Sequence, residues 1–270
     1  TPELHTIRSS SAASDVYKRQ DIDEGIEGYC MFIGYSRSGH TLVGSLLNAH
    51  PEIVISHELD ALKYFLAGYG RKKIFSLILE NSREFVSGGS TWSGYSYAVS
   101  DQWQGDHENL RIIGDKRGGR STRWFGMNPW LTGVIGERLS LPVRYILVLR
   151  NPYDIISSMQ RYVGGDLEPH INRFFSNHST IEAVKKAVGE EQVFDLRLED
   201  LISTPTDRLA DLCRFLGVDA AGEYLESCAG LVIDTPRKSR DQFEWTPSQV
   251  ELVRQRMEAF PMLEGYSFTD

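Results

Sequence analysis

Hydrophobic residues along the chain follow two alternating spacings, which predict strands and helices in turn. Short continuous apolar runs, typical of strands buried on both faces, occur at 29–33, 53–55, 110–114, 143–149 and 193–196. Apolar residues at helical spacing predict helices at 41–49, about 59–68, about 71–86, about 152–163, 180–188, about 205–216, about 219–227 and from 247 onward. Strands alternating with helices indicate βαβ units, so we expect an α/β fold, a single domain with a central parallel sheet flanked by helices.

The first part of the chain differs from the rest. Residues 8–14 form a polar, low-complexity stretch, and no hydrophobic period begins before Tyr29. We therefore expect residues 1–25 to be a disordered leader or a non-native tail, and residues 26–270 to form the folded domain.

Composition and charge narrow the class of protein. The chain is 41% hydrophobic and 24% charged, which is ordinary for a protein with a sizeable core. Its 29 basic and 37 acidic residues give a formal net charge of −8, which argues against nucleic-acid binding through a basic surface. The three cysteines have no paired spacing, and no apolar run is typical of a signal peptide or a membrane span. We expect a cytoplasmic protein whose cysteines serve packing.

A glycine-rich loop connects the first predicted strand to the helix after it. Gly34 and Gly39 lie five residues apart in this loop, a pattern typical of backbone N–H groups that bind a phosphate or sulfate at a helix N-terminus. The spacing copies a Walker A loop, although His40 stands where that motif has its lysine. The loop is therefore predicted to bind an anion, and a glycine-rich turn without a ligand is the alternative.

The same loop carries a resemblance to a known family. Residues 36–42, SRSGHTL, resemble the phosphosulfate-binding loop P-R-S-G-T-T-L of the sulfotransferases that use 3′-phosphoadenosine 5′-phosphosulfate (PAPS), with departures at Ser36 and His40. The resemblance extends over about residues 28–265. It implies the P-loop NTPase-like sulfotransferase fold, PAPS as donor, adenosine 3′,5′-bisphosphate (PAP) as product, and no metal. It assigns the donor's phosphosulfate to Arg37, Ser38, Gly39, His40, Thr41 and Leu42.

A second motif follows the strand predicted at 143–149. Arg150 stands at the carboxyl end of this strand, where open α/β sheets bind ligands. By residue type alone, Arg150 either binds an anion together with Ser158 or forms an ion pair with Asp154. Residues 149–158 match the family's 3′-phosphate pattern L-R-N-P-x-D-x-x-x-S without a break. The resemblance therefore implies that Arg150 and Ser158 hold the 3′-phosphate of the donor.

Two further segments resemble the family more loosely. Residues 198–217 follow its Y-E-D-L…P…L…L-C-x-F-L-G stretch, with Leu198 in place of the tyrosine. Residues 237–240 lie where the family carries a basic loop over the 3′-phosphate, which implies that Arg237 and Lys238 contribute to cofactor binding. A basic loop that is merely solvated is the alternative.

Sulfuryl transfer to a hydroxyl needs a base for the acceptor proton and positive charge at the departing oxygen. Residues 114–120 lack the histidine that cytosolic sulfotransferases have there. The order Arg37…His57-Glu58 resembles instead the tyrosylprotein and glycan sulfotransferases, which implies Glu58 as the catalytic base and His57 as second candidate. A glutamate that favours the start of the next helix is the alternative. The resemblance also implies that Lys116 and Arg37 stabilise charge on the sulfuryl or bridging oxygen.

The acceptor side of the site is less specific. Arg117, Arg120 and Arg123 either steer the anionic donor or are ordinary surface charge. Residues 91–104 hold four aromatic side chains and form either a lid over the acceptor or a packed surface loop. We expect a small-molecule acceptor with a hydroxyl group, a metabolite or a lipid, and no nucleic-acid partner, membrane span or metal. The oligomeric state is open, and a homodimer is one option.

Two other functions fit part of these patterns. A P-loop small-molecule kinase would share the first loop, but it would need ATP and magnesium and would leave Arg150 and Ser158 unexplained. A nucleotide-binding protein without catalysis would keep both phosphate motifs and would not need Glu58.

Overall fold

A parallel sheet of five strands runs through the centre of the molecule. The computed structural model describes residues 24–233 and 235–270, so the leader expected at 1–25 lies outside the described residues except for its last two. The strands are β1 (Gly28–Gly34), β2 (Ile53–His57), β3 (Thr91–Trp92), β4 (Tyr95–Ser96), β5 (Ile112–Lys116), β6 (Val143–Leu149) and β7 (Val193–Arg197). The sheet has the order β2-β5-β1-β6-β7 with every neighbouring pair parallel, and β3 and β4 form a separate antiparallel hairpin.

Helices cover both faces of this sheet. In the part of the chain that the structure describes, they are α1 (His40–Asn48), α2 (Ala61–Leu66), α3 (Arg71–Ser87), α4 (Gly118–Met127), α5 (Leu131–Leu139), α6 (Pro152–Val163), α7 (Leu167–Val188), α8 (Leu198–Ser203), α9 (Pro205–Leu216), α10 (Gly222–Ala229) and α11 (Pro247–Met257). Successive side chains of β1 enter two different hydrophobic clusters: Tyr29 and Met31 belong to one, Cys30 and Phe32 to the other. Because side chains alternate across a strand, the two clusters lie on opposite faces, and the α/β fold with a parallel sheet is confirmed.

The predicted strands and helices agree with the observed ones in the segments that have a clear apolar pattern. The strand predicted at 110–114 was placed two residues early, because β5 continues through the polar but buried Asp115 and Lys116. The helix predicted to begin at 180 begins at Leu167, since its first turns carry mostly polar residues with a sparse apolar pattern. The hairpin and helices α4, α5 and α8 were not predicted. All three cysteines are buried and free of disulfides, as expected.

Four strand ends meet at one edge of the sheet. In the register of the sheet His57 lies opposite Lys116, so the end of β2 and the end of β5 are neighbours. Gly34 ends β1 beside β6, which is followed by Arg150. Because all strands run parallel, the glycine-rich loop, the His57-Glu58 turn, Lys116 and Arg150 share the carboxyl edge, where α/β sheets bind ligands.

The His40 ring is a packing element between the glycine-rich loop and helix α4. Its Nε2 lies 3.2 Å from the carbonyl oxygen of Ile33, and burial, with a contribution from the charge of Lys116, lowers the His40 pKa to about 3. The ring is therefore neutral near pH 7. A methyl group on Gly118, the first residue of α4, would come within 2.2 Å of the ring carbon Cε1. Glycine at 118 thus allows α4 to approach a loop that carries histidine instead of a smaller side chain.

A second buried histidine has no hydrogen-bond partner. His178 on α7 is fully buried, and neither of its ring nitrogens has a partner among the described residues. Its ring stacks on Tyr35, 5.2 Å between centroids at 17°, and meets Phe260 at 4.7 Å. Burial lowers the His178 pKa to about 3. The neutral ring serves as an aromatic packing residue under the glycine-rich loop.

The contact between Gly118 and His40 predicts a coupled pair of substitutions. We expect Gly118→Ala to lower the free energy of unfolding by about 1–3 kcal/mol, because the added methyl overpacks the ring. In a His40→Ala background the same change should cost less than about 0.5 kcal/mol, which a double-mutant cycle by urea denaturation measures. The control is Gly133→Ala in α5, where no described atom lies within 4 Å of the added carbon. Because alanine has the higher helix propensity, this change should raise the free energy of unfolding by up to about 1 kcal/mol. Equal costs in both backgrounds would contradict the proposed packing.

Burial of His178 predicts a dependence of stability on pH. Its pKa is about 3 in the folded protein and about 6.5 in the unfolded chain, so below pH 6.5 the unfolded chain binds the proton and stability falls as pH falls. His178→Phe should reduce this slope by about 1.4 kcal/mol per pH unit at pH values well below 6.5. Above pH 7 the free energy of unfolding of the variant should equal or exceed that of the unaltered protein, because phenylalanine has no ring nitrogens to bury without hydrogen bonds. Urea midpoints at pH 4.5, 5.5 and 7.5 measure the difference, and parallel curves for the two proteins would argue against it.

Candidate active site

The glycine-rich loop is held by its own side chains and by α8. Arg37 and Gly39 adopt positive φ angles of 74° and 105°, which turn the chain so that α1 begins directly after the loop. A carbon added at Gly39 would lie 2.8 Å from Leu198, so glycine is required there. The hydroxyl of Ser38 donates to the carbonyl of Tyr35 at 3.0 Å and is fully buried. The Ser38 side chain therefore fixes the loop from within.

Lys116 connects this loop to the predicted base. Its Nζ donates to Thr41 Oγ1 at 3.1 Å and to Glu58 Oε1 at 2.9 Å. The side chain is only 2% exposed, and its aliphatic stem packs where any side chain larger than glycine at position 44 would stand. Burial lowers the Lys116 pKa, and the Glu58 carboxylate opposes that effect. The cation and the carboxylate predicted from the resemblance are thus brought together, with Thr41 as the link to the loop.

The turn that carries Glu58 is strained and firmly held. Glu58 and Asp60 have φ angles of +60° and +64°, a region that L residues occupy at an energetic cost. Asp115 supports the turn by accepting the Ser56 hydroxyl at 2.8 Å and the Ala61 backbone N–H at 2.7 Å. Helix α2 therefore begins at Ala61 and not near Leu59. The alternative in which Glu58 favours the start of a helix near Leu59 does not agree with this boundary. Asp115 has no ion pair with the neighbouring lysine.

Two arginines of the α4 region complete the turn. Arg117 forms a short ion pair with the second oxygen of Glu58. Arg120 Nε donates to Asp60 at 2.9 Å, and the indole N–H of Trp124 donates to the other oxygen of Asp60. From the sequence these arginines were expected either to steer the anionic donor or to be ordinary surface charge, and their carboxylate partners were not predicted because helix α4 was not.

His57 lies beside this cluster in an apolar setting. Its ring stacks on Phe85 at 3.8 Å and meets Trp92 edge-on at 4.6 Å. Its Nε2 is buried without a partner among the described residues. Burial, aided by the charges of Lys116 and Arg117, lowers the His57 pKa to about 3. A histidine with these surroundings is a weak proton acceptor near pH 7.

Arg150 lies at the centre of the second predicted anion site. Its guanidinium donates to the carbonyl of Arg37 at 3.0 Å and to the carbonyl of Arg237. Its Nε is buried and has no partner among the described residues. Asp154, the alternative partner of Arg150, is instead held by the backbone N–H and the guanidinium of Arg240 at 3.0 and 2.9 Å. A buried arginine with a free donor and no carboxylate partner is suited to an anionic ligand.

The neighbours of Arg150 include predicted and unpredicted residues. Arg37 Nε donates to the Ser158 hydroxyl at 3.1 Å, which joins the first motif to the second. Arg237 lies over the Tyr95 ring at 4.7 Å, whereas Lys238 is exposed. Ser239, which the sequence reasoning passed over within the same basic segment, is buried and lies 3.4 Å from the Arg150 guanidinium.

Two adjoining cavities lie over these groups. The larger, about 440 Å³, contains the glycine-rich loop, Glu58 and Arg117 in its walls, and the smaller, about 220 Å³, contains Ser158 and Arg237. Arg37, Gly39, Leu42 and Arg150 line both. Lys238 lines neither.

The β3–β4 hairpin forms part of the roof. Trp92 and Ser93 line the larger cavity, and Tyr95 and Tyr97 line both. Trp92 also lies 5.9 Å above the Lys116 ammonium, a cation–π contact that shields the cation from water. The loop at 91–104, for which the sequence left two roles open, thus carries five wall residues of the two cavities, Trp92, Ser93, Tyr95, Ser96 and Tyr97. The short strands gave no hydrophobic period by which to predict it.

Two searches for other features concern the described residues alone. None of the helices there is long and apolar enough to cross a membrane. The same residues contain no group of three or more His, Cys, Asp or Glu side chains able to hold a metal ion.

Comparison with known proteins gives a family match and several similar folds. Residues 141–222 match the sequence model of the sulfotransferase family, a segment that includes β6, α6 and the predicted 3′-phosphate motif. No curated protein matches the chain. Among solved structures, the sulfotransferase domain of the Synechococcus PCC 7002 olefin synthase is 18% identical, with 87% of this chain and 95% of that chain covered and a TM-score of 0.50.

Two more structures share the architecture. The sulfotransferase domain from the curacin biosynthetic pathway is 18% identical, with 87% of this chain and 97% of that chain covered and a TM-score of 0.53. A mouse sulfotransferase complexed with PAP is 12% identical, with 89% of each chain covered and a TM-score of 0.50. The fold is therefore the one predicted from the loop motifs. The family match covers the segment from β6 to the start of α10, which carries the second motif, and the solved sulfotransferase structures share the fold of the domain.

Proposed function

We propose that this protein transfers the sulfuryl group of PAPS to the hydroxyl group of a small-molecule acceptor. The observation that carries the proposal is the position of the Lys116 ammonium, which lies within hydrogen-bond distance of both Thr41 in the anion loop and Glu58. A donor bound in the loop would therefore have its reacting end beside a buried cation and a carboxylate. These are the two kinds of group that sulfuryl transfer to a hydroxyl requires.

The residues present fit PAPS at both of its anionic ends. The loop supplies backbone N–H groups at the start of α1, and Thr41 and Lys116 supply further donors for the phosphosulfate. Arg150, with a buried Nε that has no partner among the described residues, and Ser158 would hold the 3′-phosphate. Arg37 donates to Ser158, so we assign it mainly to the 3′-phosphate side and only secondarily to the sulfuryl group. Leu42 and Leu198 offer apolar wall beside the smaller cavity for the nucleoside.

Side chains of this protein would supply both the proton acceptor and the positive charge that the transfer needs. The acceptor oxygen forms a bond to sulfur while the bond from sulfur to the bridging phosphate oxygen breaks, and the acceptor hydroxyl loses a proton. Lys116 stabilises the negative charge that collects on the departing oxygen. Glu58 accepts the proton of the acceptor. PAP and the sulfated acceptor leave the site.

Glu58 is favoured over His57 by its surroundings. Its carboxylate lines the larger cavity, whereas the His57 ring is sandwiched by aromatic side chains and its pKa is lowered to about 3. Ion pairs with Lys116 and Arg117 hold the Glu58 carboxylate in place beside the glycine-rich loop.

Two observations weigh against the alternative functions. A P-loop small-molecule kinase would need an acidic magnesium ligand at the end of a strand near the loop, but both oxygens of Asp115, which precedes the last residue of β5, accept hydrogen bonds from Ser56 and Ala61. A binding protein without catalysis would not need the strained turn that holds Glu58 beside Lys116.

Removal of the Arg150 side chain tests the donor site. Arg150→Ala should weaken PAP binding by about 1.5–3 kcal/mol, the range for loss of a charge-assisted hydrogen bond. Calorimetric titration with PAP, and with ADP as a nucleotide that lacks the 3′-phosphate, both without magnesium, gives the comparison. The matched control is Arg214→Ala, an exposed arginine on α9 paired with Asp211, which should bind PAP like the unaltered protein. An unchanged dissociation constant for the Arg150 variant, or a preference for ADP, would refute the 3′-phosphate assignment.

A neutral isostere of Glu58 tests the base. Glu58→Gln should lower kcat by about 10²–10⁴-fold, because the amide cannot accept the acceptor's proton. PAP affinity should stay equal or increase, since glutamine no longer competes for Lys116. Turnover is measured as PAP release from PAPS with an acceptor found by screening, and His57→Phe serves as the matched comparison with expected turnover within tenfold of normal. A large loss in the histidine variant alone would move the base to His57.

A further inference from the structure

Six arginines of the described residues line the larger cavity, and four of them stand outside the two nucleotide motifs. Arg117, Arg120, Arg123 and Arg173 all contribute to its wall, and none of them lines the smaller cavity beside Ser158 and Arg237. Among the described residues, Glu58 is the only carboxylate in the wall of the larger cavity. This wall is therefore strongly positive within a chain whose formal net charge is −8.

Two helices bring these side chains together. Arg120 and Arg123 lie three residues apart on α4, and so on the same face of that helix. Helix α7, which carries Arg173, packs closely on α4, since a carbon added at Gly126 would lie 3.3 Å from Thr180 Oγ1. The pKa of Arg123 is lowered first by burial and then by the charges of Arg173, Arg120 and Arg117. The guanidinium groups are thus close enough to repel one another.

The four arginines differ in what neutralises them. Arg117 pairs with Glu58, and Arg120 pairs with Asp60 at 2.9 Å. Arg123 and Arg173 have neither an ion pair nor a hydrogen bond within residues 24–233 and 235–270. Among the described residues no carboxylate forms an ion pair with either of them, and Asp60 acts on Arg123 only through its charge at longer range. Clustered like charges without counter-ions destabilise the folded protein, and an anionic ligand removes that cost.

The donor does not account for this charge. The phosphosulfate of the donor is assigned to the glycine-rich loop and Lys116. Its 3′-phosphate is assigned to Arg150, which also lines the smaller cavity. The remaining ligand of the larger cavity is the acceptor. Met159, Tyr162 and Val163 give the same cavity an apolar wall, which suits a carbon skeleton between the reacting hydroxyl and a charged group.

We propose that the acceptor is a hydroxyl compound that also bears an anionic group, a carboxylate, a phosphate or a sulfate, and that Arg123 and Arg173 bind this group. The proposal rests on the sulfuryl-transfer function for the identity of the reacting hydroxyl, but the anion site is a property of the cavity. Arg123 and Arg173 would then determine specificity, while Glu58 and Lys116 perform the transfer. A neutral alcohol or phenol of the same shape should be a poor ligand.

Matched pairs of compounds test the anion site without relying on turnover. The probes are hydroxy acids with aromatic and with linear skeletons, each compared with its own amide, and the corresponding hydroxyalkyl phosphates compare the two kinds of anion. Binding to the unaltered protein, with and without saturating PAP, is measured by calorimetry. The same titrations use the double variant Arg123→Gln/Arg173→Gln and the control Arg214→Gln, which removes an exposed arginine on the distant helix α9.

We expect at least one acid or phosphate to bind roughly tenfold more tightly than its neutral partner, as two exposed ion pairs provide. The preference should disappear in the double variant and remain in the Arg214 control, with PAP affinity unchanged in both. Absence of any anion preference across the panel, or the same preference in the double variant, would overturn the proposal. Failure of PAP to bind the unaltered protein would instead refute the sulfuryl-transfer function, and the comparison of acid with amide in its absence still decides the anion site.

Discussion

The buried ammonium of Lys116 is the constraint on which the candidate site depends. A cation with only 2% exposure must be compensated where it lies, because the loss of hydration costs several kcal/mol. Thr41 and Glu58 provide that compensation, and each belongs to a different segment that leaves the carboxyl edge of the sheet. Satisfying one charge therefore fixes the glycine-rich loop, the strained turn after β2 and the end of β5 relative to one another. The Trp92 ring above the ammonium adds the hairpin to the same arrangement.

Strongly periodic segments and segments with fixed backbone geometry could be predicted from sequence. The apolar runs of β1 and β6 predicted strands of the sheet, and the two glycines predicted the tight loop that joins β1 to α1, since both depend on local patterns. Helix α4 could not be predicted, because it begins with Gly118-Gly119 and owes its stability to packing rather than helix propensity. The end of β5 could not be predicted either. A polar aspartate and lysine are typical of a loop, and only their position opposite β2 shows that they belong to a buried strand.

Side-chain partners were the least predictable part of the site. From the sequence alone, Arg150 could bind an anion or form an ion pair with Asp154. In the structure Asp154 is instead paired with Arg240, which lies more than eighty residues later in the chain. Likewise His40, which the sequence placed among the anion ligands, is neutral and fills the space under α4. Arg173 stood in no motif, and only the packing of α7 on α4 places it beside Arg123. Contacts of this kind depend on residues distant in sequence, for which a single chain offers no pattern.

Arg150 is oriented mainly by two main-chain carbonyl groups, and the Ser239 hydroxyl is a longer third partner at 3.4 Å. The carbonyl oxygens of residues 37 and 237 persist whatever side chains these positions carry. Sequence drift at either position would alter the rim of the pocket without releasing the guanidinium from its orientation. The position of the guanidinium therefore depends on the backbone path of the two loops that carry residues 37 and 237, and a change in either path would move it.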